Sequence, residues 1–269
     1  MSDSGLRRLF EQLETWRHFA AYKLENRIDP MFGLFLPEIL EGLVKERSDI
    51  HPEVIPEFPF PQCLALLGDE EQVEDTLRSD RIDFAVYCRE RNVLFLVELK
   101  TDMESVCDKQ LKKMASVCAV ENIGVEWLKT IVEIAKPKRS QTGKYLHLIH
   151  VLHQWGLVGP PEGAAKKQWC SEGRRHGLTA ELDDLKESCD NERARGLSLQ
   201  PVLIQPQAAA DGKELVGNKF EQFIVAGFED IAKILDEHPE DSGAALFAEF
   251  LRKWKYGPAE KESWPGMSG

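Results

Sequence analysis

The sequence has no apolar run long enough to cross a membrane. Uninterrupted runs such as Val93–Val97 fall far short of the ~20 apolar residues that a spanning helix needs. The first residues, Met1–Gly5, lead into a charged segment and contain no apolar core of a secretion signal. We therefore expect a cytoplasmic protein that has no membrane partner.

Several common nucleotide-binding and catalytic motifs are also missing. No Gly-x-x-x-x-Gly-Lys-Ser/Thr, Gly-x-Gly-x-x-Gly or Gly-x-Ser-x-Gly occurs, so P-loop, dinucleotide and hydrolase-elbow chemistry are not expected. The six cysteines form no Cys-x-x-Cys pair and are too sparse for a disulfide framework. We expect reduced thiols, several of them buried as small apolar side chains.

Basic residues are in deficit over the whole chain. Lys and Arg number 34 against 46 Asp and Glu, which gives a net charge of -12. This balance argues against a protein that coats nucleic acid non-specifically, because that mode depends on attraction between cations and phosphate. The segment 136–175 is an exception with eight basic and two acidic residues. We call it the basic sector, and it is either a solvated surface or a surface that contacts phosphate.

Hydrophobic periodicity predicts alternating helices and strands. Predicted helices cover 5–27, 31–47, 103–120, 124–135, 145–155, 178–193, 228–238 and 244–254. Predicted strands cover 53–60, 81–88, 92–101, 202–205 and 222–226, with a loop over 69–80. Pro56 and Pro59 place the first strand at a sheet edge, because proline cannot donate a ladder hydrogen bond.

The strands 81–88 and 92–101 carry the informative residues. If they form an antiparallel hairpin with Glu90 and Arg91 at the centre of its turn, Asp83 falls directly opposite Glu98. Side chains that pair in this way lie on one face, with Cβ atoms ~4.5–5.5 Å apart. Lys100 shares that face because side chains alternate along a strand.

Two opposed carboxylates in an apolar hairpin destabilise it, and burial increases the cost. A divalent cation such as Mg²⁺ removes this conflict, because it binds carboxylate oxygens and completes its shell with water. Lys100 would then help to deprotonate or orient an attacking water and stabilise a pentavalent phosphate. The alternative is a surface hairpin whose charges face solvent, and a slip of one residue would move Asp83 to the other face.

These residues resemble the PD-(D/E)XK nuclease superfamily, which has the restriction-endonuclease-like fold. The match is Asp83 followed by Glu98-Leu99-Lys100, and the resemblance is firm over roughly 31–120. A bacterial branch of that superfamily is similar at three further places, namely Glu57-Phe58-Pro59, Thr101–Ser105 with Gln110, and Ile204-Gln205-Pro206.

The resemblance implies an α/β fold with an αβββαβ core, in which helices flank a mixed sheet. The core would comprise 31–120 and 198–256, with the N-terminal helix of 1–30 packed on it. The region 121–197 would be a large helical insertion that carries the basic sector, and 257–269 a flexible tail.

The resemblance also implies a set of site residues. Asp83, Glu98 and the Leu99 carbonyl would bind Mg²⁺ or Mn²⁺, with Glu57 as a further candidate ligand. Lys100 would be the catalytic base or the transition-state stabiliser, assisted by Gln110 and by a glutamate of the first core helix. That glutamate is Glu38 or Glu41.

Each secondary candidate has an ordinary structural role as its alternative. Glu41 is placed to pair with Lys45 along a helix, and Gln110 to be an exposed helix residue. Glu57 is placed to be a charge that protects an edge strand. Asp80 and Asp102 are interpreted first as turn and cap residues.

The sequence thus predicts a metal-dependent nuclease that hydrolyses phosphodiester bonds, with DNA as the expected substrate. Nucleic acid would bind through the cleft and the basic sector, and a homodimer is a further expectation. The main alternative is a catalytically silent module of the same fold that binds nucleic acid or protein. A third hypothesis is an α/β interaction protein whose hairpin acids face solvent.

Overall fold

The computed structural model describes residues 3–16, 25–45, 49–61, 79–101, 108–135, 142–159, 189–206, 221–238 and 241–254. Its helices are α1 (Asp3–Trp16), α2 (Glu25–Val44), α3 (Asp108–Cys118), α4 (Gly124–Ala135), α5 (Thr142–Gln154), α6 (Glu192–Arg195), α7 (Phe228–Asp236) and α8 (Ser242–Trp254). Its strands are β1 (Ile50–Pro61), β2 (Ser79–Cys88), β3 (Val93–Leu99), β4 (Ser198–Gln205) and β5 (Ile224–Gly227).

The five strands form one mixed sheet in the order β1-β2-β3-β4-β5. β1 pairs antiparallel with β2, and β4 pairs parallel with β5. The Ser198 amide donates to the Asn92 carbonyl at 3.1 Å and the Lys100 amide to the Ile204 carbonyl at 2.8 Å. From the first bond to the second, the residue numbers increase along both strands, so β3 and β4 run parallel. The expected α/β class is therefore confirmed, and the proline-containing β1 lies at an edge.

A proline lies inside β4 without loss of a ladder bond. The bonds to β3 involve the even-numbered residues of β4, so the backbone groups of Pro201 point towards β5. Pairing with β5 begins only at Val202, opposite Ile224. Among the described residues, the pairing of β4 with β5 does not include Pro201, which allows β4 to extend beyond the predicted 202–205.

A four-residue turn, Arg89–Asn92, joins β2 to β3. The Arg89 carbonyl accepts from the Asn92 amide at 3.4 Å, with Glu90 and Arg91 between them as predicted. Asn92 has φ 51°, and asparagine is among the few residues that tolerate this left-handed region. Its side chain accepts from the Tyr87 hydroxyl at 2.7 Å and donates to the Arg193 carbonyl at 2.7 Å. These contacts hold the turn on the segment that precedes β4.

The chain divides into two compact units. The first comprises Met1–Arg47, Val97–Leu111 and Val202–Gly269. Aromatic rings fill its helical part, where Phe10 of α1 stacks on Phe250 of α8 with centroids 4.7 Å apart. Phe32 of α2 meets Phe247 edge to face at 5.1 Å. Burial of such rings holds α1 and α2 against α8.

The second unit comprises Ser48–Leu96 and Lys112–Pro201. Trp127 of α4 stacks on Phe58 of β1, with centroids 5.3 Å apart and planes 8° apart. Tyr87 of β2 stacks on Trp155, which lies just beyond α5. Helices α4 and α5 are therefore fixed to the sheet by aromatic contacts.

Some predicted boundaries were wrong. The second helix begins at Glu25 rather than at 31, because Ile28 and Phe32 bury one helical face and this burial outweighs the break at Pro30. Asp80 is not a turn residue, since it lies in β2 opposite Phe60. The predicted helix 178–193 does not run through Asn191, whose side chain instead caps α6.

The remaining elements match their predictions closely. Helix α4 has the predicted bounds, and β1, β2, β3, β5, α5, α7 and α8 differ from theirs by a few residues at their ends. No helix among the described ranges is both long and apolar enough to cross a membrane.

Parts of several predictions lie outside the described residues. These parts are 17–24, 62–78, Asp102 with the start of the helix 103–120, most of the helix 178–193 and the tail 257–269. The eight basic side chains of the basic sector also lie outside the residues whose side chains are described. The interpretation of that sector and the predicted domain boundaries stay predictions.

Candidate functional site

The end of β3 carries a buried ion pair. Every residue of β3 is buried, and these residues include the acidic Glu98 as well as the apolar side chains. Glu98 is 2% exposed and Lys100, the first residue after the strand, is 7% exposed. The Lys100 Nζ lies 2.5 Å from Glu98 Oε1. The hypothesis of a solvent-facing Lys–Glu pair is therefore wrong.

Helix α3 adds an amide to the same carboxylate oxygen. Gln110 Nε2 donates to Glu98 Oε1 at 2.8 Å, although Glu98 is twelve positions earlier in the chain. Leu111 and Met114 are buried on this helix, which places Gln110 at the margin of its buried face. Ammonium and amide donors thus converge on one oxygen, and bonds to an ionised acceptor are the stronger kind.

Strand β4 brings a second glutamine beside the pair. In the parallel register set by the bond from the Lys100 amide to the Ile204 carbonyl, Gln205 lies next to Lys100 and projects to the same face. Gln205 is fully buried. The sequence predicts it as the last residue of a short buried strand, 202–205, but does not predict that it lies beside Lys100.

Glu38 of α2 belongs to the same unit as Glu98 and Lys100. It is half-buried, and within the described residues its Oε2 is a buried oxygen that has no hydrogen-bond partner. Glu41 is also half-buried. Lys45 lies past the end of α2 with φ 54°, so it does not continue the helical ladder that an i,i+4 pair with Glu41 requires. Of the two glutamates, Glu38 is therefore the better candidate to bind a group that supplies the missing hydrogen bond or metal contact.

Asp83 and Glu57 belong to the second unit. The pairs Pro56–Phe84 and Phe58–Ile82 on either side place Glu57 opposite Asp83 on β1 and β2. Glu57 has φ 51° and accepts from Arg81 at 2.7 Å in an exposed ion pair. This arrangement favours the edge-charge interpretation of Glu57. Asp83 is half-buried, and its position opposite Glu98 stays a prediction.

The donor chemistry of the first unit suits a hard divalent cation. The Glu98 carboxylate and the Leu99 carbonyl are oxygen ligands of the kind that Mg²⁺ or Mn²⁺ takes. Within the described part of the chain, no group of three or more His, Cys, Asp or Glu side chains is close enough to hold a metal ion. A cation that keeps several waters needs only one or two carboxylates, so the residues fit such an ion.

Two of the described cysteines have thiols with a strongly raised pKa. Burial raises the pKa of the Cys118 thiol to about 12. Burial likewise raises the pKa of Cys189 to about 12, against a smaller opposing effect of Lys129. Both thiols are neutral at physiological pH and are therefore poor nucleophiles and poor metal ligands. Both cysteines are free thiols, as expected, and Cys189 is buried whereas Cys118 is half-buried.

Comparison of the chain with protein-family models, with curated proteins and with solved structures finds no match. The resemblance to the PD-(D/E)XK superfamily therefore depends on Asp83 and Glu98-Leu99-Lys100. Of these residues, the structure joins Glu98 and Lys100 directly and adds Gln110 to them.

Proposed function

We propose that this protein is a metal-dependent nuclease of the PD-(D/E)XK type that hydrolyses phosphodiester bonds, with DNA as its substrate. The observation that carries the proposal is the convergence of Lys100 and Gln110 on the buried carboxylate of Glu98. The mixed sheet with helices packed on it agrees with the fold that the resemblance implies.

The energetics of the pair also support a functional role. A buried ion pair contributes little to stability, because the loss of hydration of both ions offsets their attraction. Here it stands at the end of a strand whose other residues are apolar, where Leu or Val would pack without that cost. The arrangement is better explained by chemistry at the site than by stability of the fold.

Lys100 acts in this proposal as an electrostatic stabiliser. Lys100, which donates to the Glu98 carboxylate, would also donate to a non-bridging phosphate oxygen as negative charge develops there. Gln110 fixes the orientation of the Glu98 carboxylate. A divalent cation, when bound by Glu98 and the Leu99 carbonyl, would supply further positive charge and orient water.

The reaction is a hydrolysis and needs no oxidant or second substrate. The oxygen of a water molecule forms a bond to phosphorus, and the bond from phosphorus to one ester oxygen breaks. One proton of the water is lost to solvent, and the leaving oxygen takes up a proton. The products are a phosphate monoester and an alcohol.

The proposal is tested by incubating wild type with single- and double-stranded DNA and RNA in Mg²⁺, Mn²⁺ or EDTA. We expect cleavage of DNA that requires the metal and falls at least about 100-fold in Lys100→Met, since one preorganised donor contributes about that much. Lys233→Met, at an exposed lysine of α7, is the matched control and should keep full activity.

Two outcomes would contradict the proposal. Equal, negligible cleavage by wild type and Lys100→Met would exclude the enzyme, and binding of nucleic acid without cleavage would then favour the silent module. Cleavage that persists in EDTA and in Lys100→Met would point to a contaminating nuclease. Melting curves of each variant show that a lost activity is not lost folding.

A further inference from the structure

Gln205 is the most buried polar residue described beside the candidate site. Its exposed fraction is 0%, and among the described residues neither its Oε1 nor its Nε2 has a hydrogen-bond partner. It is the last residue of β4, so it lies at the carboxyl end of a strand that has parallel neighbours on both sides. In open α/β sheets this is the end at which ligands bind.

A buried amide without hydrogen bonds lowers the stability of the folded protein. A buried polar group that lacks a hydrogen bond loses its hydration with no compensation, and such groups are rare in native proteins. An apolar side chain of the same size would fill this position in the strand without that loss. The preceding residues, Val202, Leu203 and Ile204, are all apolar. The position therefore needs a polar partner that the described residues do not supply.

The neighbours of Gln205 indicate what that partner is. Lys100 stands beside it on β3, and the register places Gly227 beside it on β5. An ammonium favours an anionic occupant. An amide has both a donor and an acceptor, which match a phosphate oxygen and an ordered water.

We propose that Gln205 binds the substrate, with Nε2 donating to a non-bridging oxygen of the phosphodiester and Oε1 accepting from an ordered water. This inference rests on the proposed function, since it assigns a substrate contact within the same site. It adds β4 to the elements that form the site and explains why a strand of apolar residues ends in a buried amide.

The experiment compares wild type with Gln205→Met, which keeps the volume and removes the amide. The probe is a DNA oligonucleotide with phosphorothioate linkages, which resist cleavage, titrated in Mg²⁺ and followed by fluorescence anisotropy. We expect Kd to rise by about tenfold to 100-fold, the loss expected for one hydrogen bond to a charged group. The ligand-free variant should melt at the same temperature as wild type or higher, because an unsatisfied amide has been removed.

Gln200→Met is the matched control. Gln200 lies on the same strand five residues earlier, on the opposite face, and its Nε2 bonds to the Pro201 carbonyl at 3.1 Å. This variant should bind the probe like wild type. A large fall in the melting temperature of Gln205→Met, or failure to fold, would show a structural role and overturn the inference.

The remaining outcomes separate this inference from the proposed function. If wild type binds and cleaves DNA and Gln205→Met does so equally well, only the role of Gln205 is overturned. If wild type neither binds the probe nor cleaves DNA, both proposals are overturned. If wild type binds and cleaves while Gln205→Met keeps its fold and loses binding, both are supported.

Discussion

At the scale of single residues, simple periodicity predicted that Glu98 and Lys100 share one face of the sheet. Side chains two positions apart on a strand share a face, and the structure brings these two charges to 2.5 Å. The contact of Gln110 with Glu98 was implied by the resemblance and not by the residues alone. Gln205 could not be found in this way, because only the register between β3 and β4 places it beside Lys100.

In the ligand-free protein, the buried pair predicts that the effects of Glu98 and Lys100 substitutions on the free energy of unfolding are strongly coupled. Lys100→Met should lower the free energy of unfolding by about 3 kcal/mol, because it leaves the Glu98 carboxylate buried without its cation. Glu98→Gln combined with Lys100→Met removes both charges and should cost less than the sum of the single changes. Urea denaturation in EDTA measures all three variants. If the loss of unfolding free energy in the double variant equalled the sum of the two single losses within about 0.5 kcal/mol, the coupling would be contradicted.

At the scale of elements, the sequence predicted best where apolar periodicity meets clear stop signals. Helix α4 has the predicted bounds because Gly124 opens it and the periodic residues Trp127, Leu128, Ile131 and Val132 are all buried. The second helix was predicted to begin at 31, whereas long-range packing of Ile28 and Phe32 extends α2 back through Pro30 to Glu25. Local signals alone do not contain that packing.

Because α4 lies in close contact with the segment before β4, we expect Gly124→Ala to lower the stability of the folded protein. An added Cβ would overlap the Ala194 carbonyl oxygen and come within 2.8 Å of Leu197 Cβ. We expect a loss of about 1–3 kcal/mol of unfolding free energy, the usual cost of overpacking. Gly196→Ala is the milder comparison, since its φ is -88° and its nearest neighbour, the Asn92 amide nitrogen, lies at 3.1 Å. Equal melting temperatures for the two variants would contradict the contact.

At the scale of the whole molecule, the net charge of -12 limits how a nucleic acid binds. A broad contact with a duplex would bring many phosphates against an acidic surface, which is unfavourable. A contact confined to a few phosphates near Lys100 avoids this cost. The charge therefore favours a locally held substrate over a long duplex wrapped along the protein.

Local binding predicts a shallow dependence on salt. The plot of log Kd against log salt concentration for the phosphorothioate probe should have a slope of about 2–4, which corresponds to a few neutralised phosphates. The measurement uses a constant excess of Mg²⁺ and varies KCl. A slope near 8 would indicate a broad basic surface and would assign binding to the basic sector instead.

The placement of the buried tryptophans has a spectroscopic consequence. Trp254 lies in the aromatic cluster of the first unit, whereas Trp127 and Trp155 stack on Phe58 and Tyr87 in the second. All three are at most 1% exposed, so each emits from a dry environment until its own surroundings open. Variants that retain a single one of these indoles therefore give each unit an optical reporter of its own. The red shift of emission on unfolding can then be timed separately for the helical cluster and for the sheet with α4 and α5.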